Sequence, residues 1–211
     1  MSRGGADDII GFMELTDIVA VNELFAPIYP YVARQVVDAF GRKKGEVLEL
    51  GPFAGGVSIE IARQNPGLSL AMGDDFPGLL PSFQELVARE GLVDRIAVRA
   101  MDKSHLPFGD ASFDLVVFRG ALFFWDESAQ IVREMYRVLR PGGLAMAGGG
   151  FGAETPEPVI ESVARQSRDL NRRLGKRVLS EPELLALLRD VGLEVHASIE
   201  RRHGLWAEIR K

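Results

Sequence analysis

Apolar residues recur at helical spacing through residues 13–40, where Pro27 and Pro30 interrupt the pattern around Tyr29 and Tyr31 and the helix resumes from Ala33 to Phe40. From Val47 onward the pattern changes. Short apolar runs at 47–50, 68–72, 96–100, 113–118 and 144–147 read as buried strands. Amphipathic stretches at 58–64, 79–90, 128–139 and 155–174 read as helices, as does 181–191. Ser180 followed by Glu183, with Pro182 in the first turn, is a capping-box start for that last helix. Strands alternating with helices mean parallel strands joined by crossovers, the pattern of a doubly wound α/β sheet. Two final strands, 193–199 and 205–209, are separated by too few residues for a crossover, so they pair antiparallel. The expectation is a seven-stranded, mostly parallel sheet ending in an antiparallel hairpin.

Composition narrows the chemistry. The chain of 211 residues has no Cys and three His, which removes thiolate metal sites, disulfides and a cysteine nucleophile and leaves little for a His-rich centre; no metal is expected. The net charge of −5 makes nucleic acid an unlikely main partner. No apolar stretch is long enough to span a membrane, and MSRGGADD lacks the apolar core of a signal peptide, so a cytoplasmic protein is expected. The basic segment 165–177 reads mainly as a solvated helix face, with a role in guiding an anionic partner as the other reading. The 23 glycines exceed the usual share of roughly 7 % and gather at 51–56 and 142–152, as expected where backbone approaches a ligand.

The turn VLELGPFAGG (47–56) joins strand to helix where a doubly wound sheet binds its ligands. Its glycines are Gly51, Gly55 and Gly56, with Phe53 where a dinucleotide fingerprint needs its middle Gly. Glu49, one residue before the first Gly, suits a cationic head group better than a pyrophosphate. The second strand ends in Gly73-Asp74-Asp75, an acid placed to accept both hydroxyls of a ribose diol, with Asp74 the better aligned and Asp75 the fallback.

These residues resemble motif I of class I S-adenosylmethionine-dependent methyltransferases, [D/E]-x-G-x-G-x-G, with Phe53 replacing the central Gly. MDKSHLPFGDASFDLVVF (101–118) resembles that family's D-x-x-x-L-P-F-x-x-x-x-F-D-x-V, and RVLRPGGLAMA (137–147) resembles its Pro-Gly-Gly turn and fifth strand. The resemblance covers about residues 45–211 and is closest to the type 11, UbiE-like small-molecule branch. It implies a Rossmann-like sheet, S-adenosylmethionine as cofactor and S-adenosylhomocysteine as product. By the same resemblance Glu49, Gly51, Phe53 and Gly55 form the cofactor turn. Asp74 or Asp75 takes the ribose, and Asp102 takes the adenine amino group with Met101 flanking the ring. Residues 1–44 correspond to a helical lid.

Arg119, at the end of the fourth strand, is a candidate for the cofactor carboxylate or an anionic substrate, against a surface ion pair. Tyr29, Tyr31, Trp125 and Phe151 are candidates for the substrate pocket, against ordinary core packing. Methyl transfer from a sulfonium needs alignment more than acid–base chemistry, so no catalytic residue is singled out. With no separate recognition domain evident, a small-molecule acceptor is expected; the oligomeric state is not readable. The competing readings are a NAD-dependent oxidoreductase on a similar sheet and a non-catalytic S-adenosylmethionine-binding module.

Overall fold

A 3-10 turn at Ala26–Ile28 leads into helix α1, Tyr29–Phe40. Pro30 falls in its first turn, where the missing N–H has no intrahelical partner to lose, so the helix starts at Tyr29 and not at Ala33 as the spacing predicts. The computed structural model describes residues 20, 23–51, 55–120, 128–173 and 179–211. After α1 come β1 (Gly45–Leu50), α2 (Gly56–Gln64), β2 (Leu68–Asp74), α3 (Leu80–Arg89), β3 (Ile96–Ala100) and β4 (Phe113–Phe118). Then follow α4 (Ser128–Val138), β5 (Leu139–Gly150), α5 (Glu157–Arg173), α6 (Glu181–Asp190), β6 (Ala197–Glu200) and β7 (Gly204–Arg210).

The strands form one seven-stranded sheet in the order β3-β2-β1-β4-β5-β7-β6. The first five pair in parallel, and β7 runs antiparallel between β5 and β6. This is the doubly wound architecture with an antiparallel tail that the alternation predicts. Successive residues of the central strands serve opposite faces. Val47, Leu115, Leu144 and Met146 join the core under α1, α2 and α3. Leu48, Val116, Phe118 and Ala145 join the core under α4 and α6. Both faces being covered explains why these strands read as continuous apolar runs. The capping box at Ser180 and Glu183 forms as its spacing predicts.

Three details differ from the sequence pattern. The 128–139 helix ends at Val138, and Leu139 already pairs with Phe113. The Arg-Pro-Gly-Gly that follows is a bulge inside β5, because pairing resumes only at Leu115 with Leu144. The strand expected over 193–199 is shorter, since Glu194–His196 form a 3-10 turn before β6. Gly148–Gly150, expected to flank a ligand, are instead strand residues paired with β7. A Cβ on Gly148 would lie 2.3 Å from the Leu205 carbonyl oxygen, so those glycines serve strand-to-strand approach.

Candidate functional site

β1 sits between β2 and β4, so the connections leaving its carboxyl end and that of β4 diverge to opposite faces and open a crevice there. Glu49, Gly51, Asp74, Arg119 and the turn after β3 all belong to this end of the sheet.

Glu49 points toward α2 because alternation places it on the face of Val47. It is buried and accepts hydrogen bonds from the Ser58 N–H (2.9 Å) and the Ser58 hydroxyl (2.5 Å). Burial lifts its pKa to about 7, with the Ser58 donors and the Arg119 charge opposing. Tyr29, buried on α1, is seated on Gly56, where an added Cβ would lie 2.1 Å from its ring. Burial pushes the Tyr29 hydroxyl up to about 12, the Arg119 charge opposing and Glu49 reinforcing.

Arg119 completes this cluster. Its guanidinium lies 5.0 Å from the Phe25 ring centroid and 5.7 Å from that of Tyr29, and Nη2 donates to the Gly150 carbonyl at 3.2 Å. Its Nε has no partner, and among the described residues no carboxylate forms an ion pair with it. Among the described residues, the ion pair weighed from sequence is not formed. Burial lowers its pKa while Tyr29 and Glu49 pull the other way. A desolvated cation with a spare N–H suits an anionic ligand group.

On the other side of Gly51, the buried Asp74 accepts the Phe76 N–H at 2.8 Å through Oδ1. Burial raises its pKa to about 6, Lys103 opposing and a hydrogen bond with Asp75 adding. For Asp75 burial also acts upward, yet the hydrogen bond with Asp74 and the Lys103 ammonium hold it below the usual carboxylate range. Lys103 is buried, pairs with Asp75, and stands 3.5 Å from Asp74 Oδ1.

Gly51 has φ +50°, and a Cβ there would meet Phe118 at 3.1 Å, the Lys103 stem at 3.3 Å and Asp74 Oδ2 at 3.6 Å. A side chain at Gly51 would thus fill the cradle between the turn and Asp74. That cradle, the two acids flanking it and the orphan Arg119 N–H fit a ligand with an amino group, a carboxylate and a ribose.

The remaining expected residues are placed as follows. Met101 is buried in the core beneath Gly73, where a Cβ would strike its Cε at 2.5 Å, and its N–H donates to the Asp74 carbonyl at 3.0 Å. Asp102 is exposed, accepts the Ser104 N–H at 2.7 Å and faces His105 Nδ1 at 3.4 Å. The Leu-Pro-Phe turn beyond it is clamped from α4: Glu134 accepts the Leu106 N–H at 2.8 Å, and Arg137 donates to the carbonyls of Leu106 and Phe108 at 3.1 and 2.9 Å. Gly55 is the N-cap of α2. Tyr31 is partly buried, with Gly152 against its backbone, and Phe151 packs on the core while its N–H donates to the His203 carbonyl at 2.8 Å. Phe53 and Trp125 lie outside the described residues. Sequence reasoning missed Ser58 and Lys103. Ser58 lies in the first turn of the helix after the glycines, and Lys103 is the residue after Asp102, both positions that a motif pattern writes as x.

A seven-stranded sheet of this order, with an acid and a glycine turn at the end of β1 and an acid ending β2, is a Rossmann-like methyltransferase fold. Residues 48–147 match the methyltransferase domain family, and together with the relatives and the solved structure below this supports a class I S-adenosylmethionine-dependent methyltransferase domain, a family whose cofactor is S-adenosylmethionine. The chain is 32 % identical over 100 residues to the ubiquinone/menaquinone biosynthesis C-methyltransferase UbiE of Geotalea daltonii, covering 47 % of this chain and 43 % of that one. It is 35 % identical over 97 residues to the demethylmenaquinone methyltransferase of Lactiplantibacillus plantarum, covering 46 % and 41 %. The match thus spans less than half the length of these curated relatives. A solved structure described as an S-adenosyl-L-methionine-dependent methyltransferase, from Methanococcus maripaludis, superposes with TM-score 0.77 at 28 % identity, covering 100 % of this chain and 97 % of that one.

Proposed function

We propose that this protein transfers a methyl group from S-adenosylmethionine to a small-molecule acceptor. The observation that carries the reading is the crevice at the ends of β1, β2 and β4, where the buried Glu49 and Asp74 flank the Gly51 cradle and Arg119 keeps an unpartnered N–H. Glu49 would receive the cofactor's amino group and Arg119 its carboxylate. Asp74 would accept the ribose diol, Asp75 being engaged with Lys103. Asp102, exposed at the turn after β3, would take the adenine amino group. Gly55 and Phe53 would complete the turn, with Met101 behind the ring. Tyr29, Tyr31, Trp125 and Phe151 would border the acceptor side.

When bound, the cofactor would supply a methyl carbon activated by its sulfonium: an electron pair of the acceptor would form the new bond to carbon, the C–S pair would stay on sulfur, and a ring-carbon acceptor would then give up its proton to solvent. The protein's own residues orient and exclude water. Glu49 gives up its proton to become the carboxylate that holds an ammonium. The Phe25 and Tyr29 rings shield the Arg119 guanidinium from solvent, which strengthens its attraction for an anion.

We read residues 1–44 as a lid and 45–211 as the catalytic domain. The cytoplasm is the proposed compartment, supported by the described residues holding no helix long and apolar enough to cross a membrane. The relatives' names make quinone-type rings a reasonable first acceptor class. The test is calorimetry with S-adenosylmethionine and S-adenosylhomocysteine, followed by mass spectrometry of an acceptor panel that includes demethylmenaquinone chemically reduced to its quinol, the form whose ring is electron-rich enough to attack a sulfonium. Heat with both ligands and a product heavier by one methyl group support the reading. No heat with either overturns it, and binding without turnover across the panel leaves a binding module.

A further inference from the structure

We infer that Lys103 is a positioning residue for the cofactor: its buried ammonium keeps the Asp74–Asp75 carboxylate pair ionised so that Asp74 can accept both ribose hydroxyls. The inference rests on the ribose contact proposed above.

The geometry is unusual for a surface-loving residue type. Lys103 is 1 % exposed, and lysine is almost never fully buried without a partner. Its stem runs across the Gly51 cradle and its ammonium reaches Asp75 and, at 3.5 Å, Asp74 Oδ1. Asp74 Oδ1 is further held by the Phe76 N–H, which leaves Oδ2 turned toward the Gly51 cradle. The charged groups acting on the pair, among the described residues, are the two carboxylates from the end of β2 and Lys103 itself. The neighbours from the other elements, Gly51, Met101 and Phe118, carry no charge. Two adjacent carboxylates with a single counter-ion hold together only while that counter-ion is present. Without it, one carboxyl takes up a proton at neutral pH, as sharing pairs do. The proton then competes with the ribose for the same oxygens.

The inference predicts a pH signature that a packing role would not produce. S-adenosylhomocysteine affinity is measured by calorimetry from pH 6 to 9 on the wild-type protein, Lys103→Gln, Lys103→Arg and Asp74→Asn. Gln retains a donor for Asp75 and most of the stem, so Lys103→Gln is the variant expected to fold, and melting curves check it. Taken as ratios to the wild type, which itself gains about twofold between pH 7 and 9 as Glu49 ionises, affinities of Lys103→Arg should stay flat. Lys103→Gln should bind about two- to tenfold more weakly at pH 7, the effect of raising the Asp74 pKa by about one to two units from about 6, and recover by pH 9. A flat profile for Lys103→Gln, tighter binding by it, or the same pH dependence in Lys103→Arg overturns the inference. Asp74→Asn separates the two claims. If it weakens binding at every pH while Lys103→Gln is flat, only the role of Lys103 falls. If it binds like the wild type, the ribose contact itself is misplaced.

Discussion

Glu49→Gln tests whether the protein holds a strained carboxyl at its site. The pKa of Glu49 is raised from an ordinary 4.5 to about 7 by burial. The folded state therefore prefers the protonated form more than the unfolded chain does. The stability this contributes is complete below about pH 4.5 and is lost as pH rises through about 7. A displacement of this size corresponds to about 3 kcal/mol between those limits. Gln cannot ionise, so it escapes the loss, and its amide oxygen accepts from Ser58 much as the protonated carboxyl does. The variant should melt close to the wild type at pH 5 and above it at pH 8. A change of about 1 kcal/mol moves the midpoint by roughly 2–4 °C in a chain of this size, so with about 2.5 kcal/mol of the change falling between pH 5 and 8 the difference between the two proteins should swing by roughly 5–10 °C across that range. Asp74, whose pKa also rises, titrates in both proteins and cancels in the comparison. The assay is thermal unfolding by circular dichroism at half-unit pH steps. A melting difference that stays constant from pH 5 to 8 refutes the buried-carboxyl argument. The same substitution should reduce proton release on S-adenosylmethionine binding at pH 6 to the part that Asp74 contributes, read by calorimetry in buffers of different ionisation enthalpy.

Three further outcomes follow from the geometry. Gly56→Ala drives a methyl group to 2.1 Å from the buried Tyr29 ring, so α1 must shift, at a cost of about 1–3 kcal/mol in chemical denaturation; an unchanged midpoint would mean Tyr29 is not seated there. Arg137→Met releases the carbonyls of Leu106 and Phe108 and leaves Glu134 without its cation, which should cost about 1–3 kcal/mol and speed amide exchange in residues 104–110. Ser180→Ala removes the cap of α6 and should cost about 1 kcal/mol, with a larger loss in Ser180→Ala than in Ser180→Gly.

The fold was legible wherever burial is two-sided. The runs at 47–50 and 113–118 could only be central parallel strands, and the short link after Glu200 forced an antiparallel pair. Legibility failed where a residue acts through backbone alone. Pro30 looks like a breaker yet opens α1, and Gly148–Gly150 look like a ligand loop yet close β5, paired with the first residues of β7. The candidate acids Glu49 and Asp74 were visible because strand ends are fixed by the apolar runs before them. Lys103 was not, because its partners lie across the sheet end and no spacing along the chain records them. Arg119 was visible as a position, but its stacking on Phe25 and Tyr29 depends on how α1 lies over the sheet.

The place of β7 also bears on how the protein acquires its sheet. β6 pairs with β7 alone, and β7 is threaded between β6 and β5 although it is the last strand to be synthesised. The parallel strands β1 to β5 can assemble as each crossover is completed, but until Gly204–Arg210 arrives β5 is an open edge and β6 has nothing to pair with. That delay falls on the Gly148–Gly150 end of β5, beside Arg119, so a nascent or truncated chain would expose a sticky strand next to its own ligand crevice. Substitutions that weaken the β5–β7 glycine contact should therefore appear first as aggregation during synthesis, before any loss of the proposed methyl transfer.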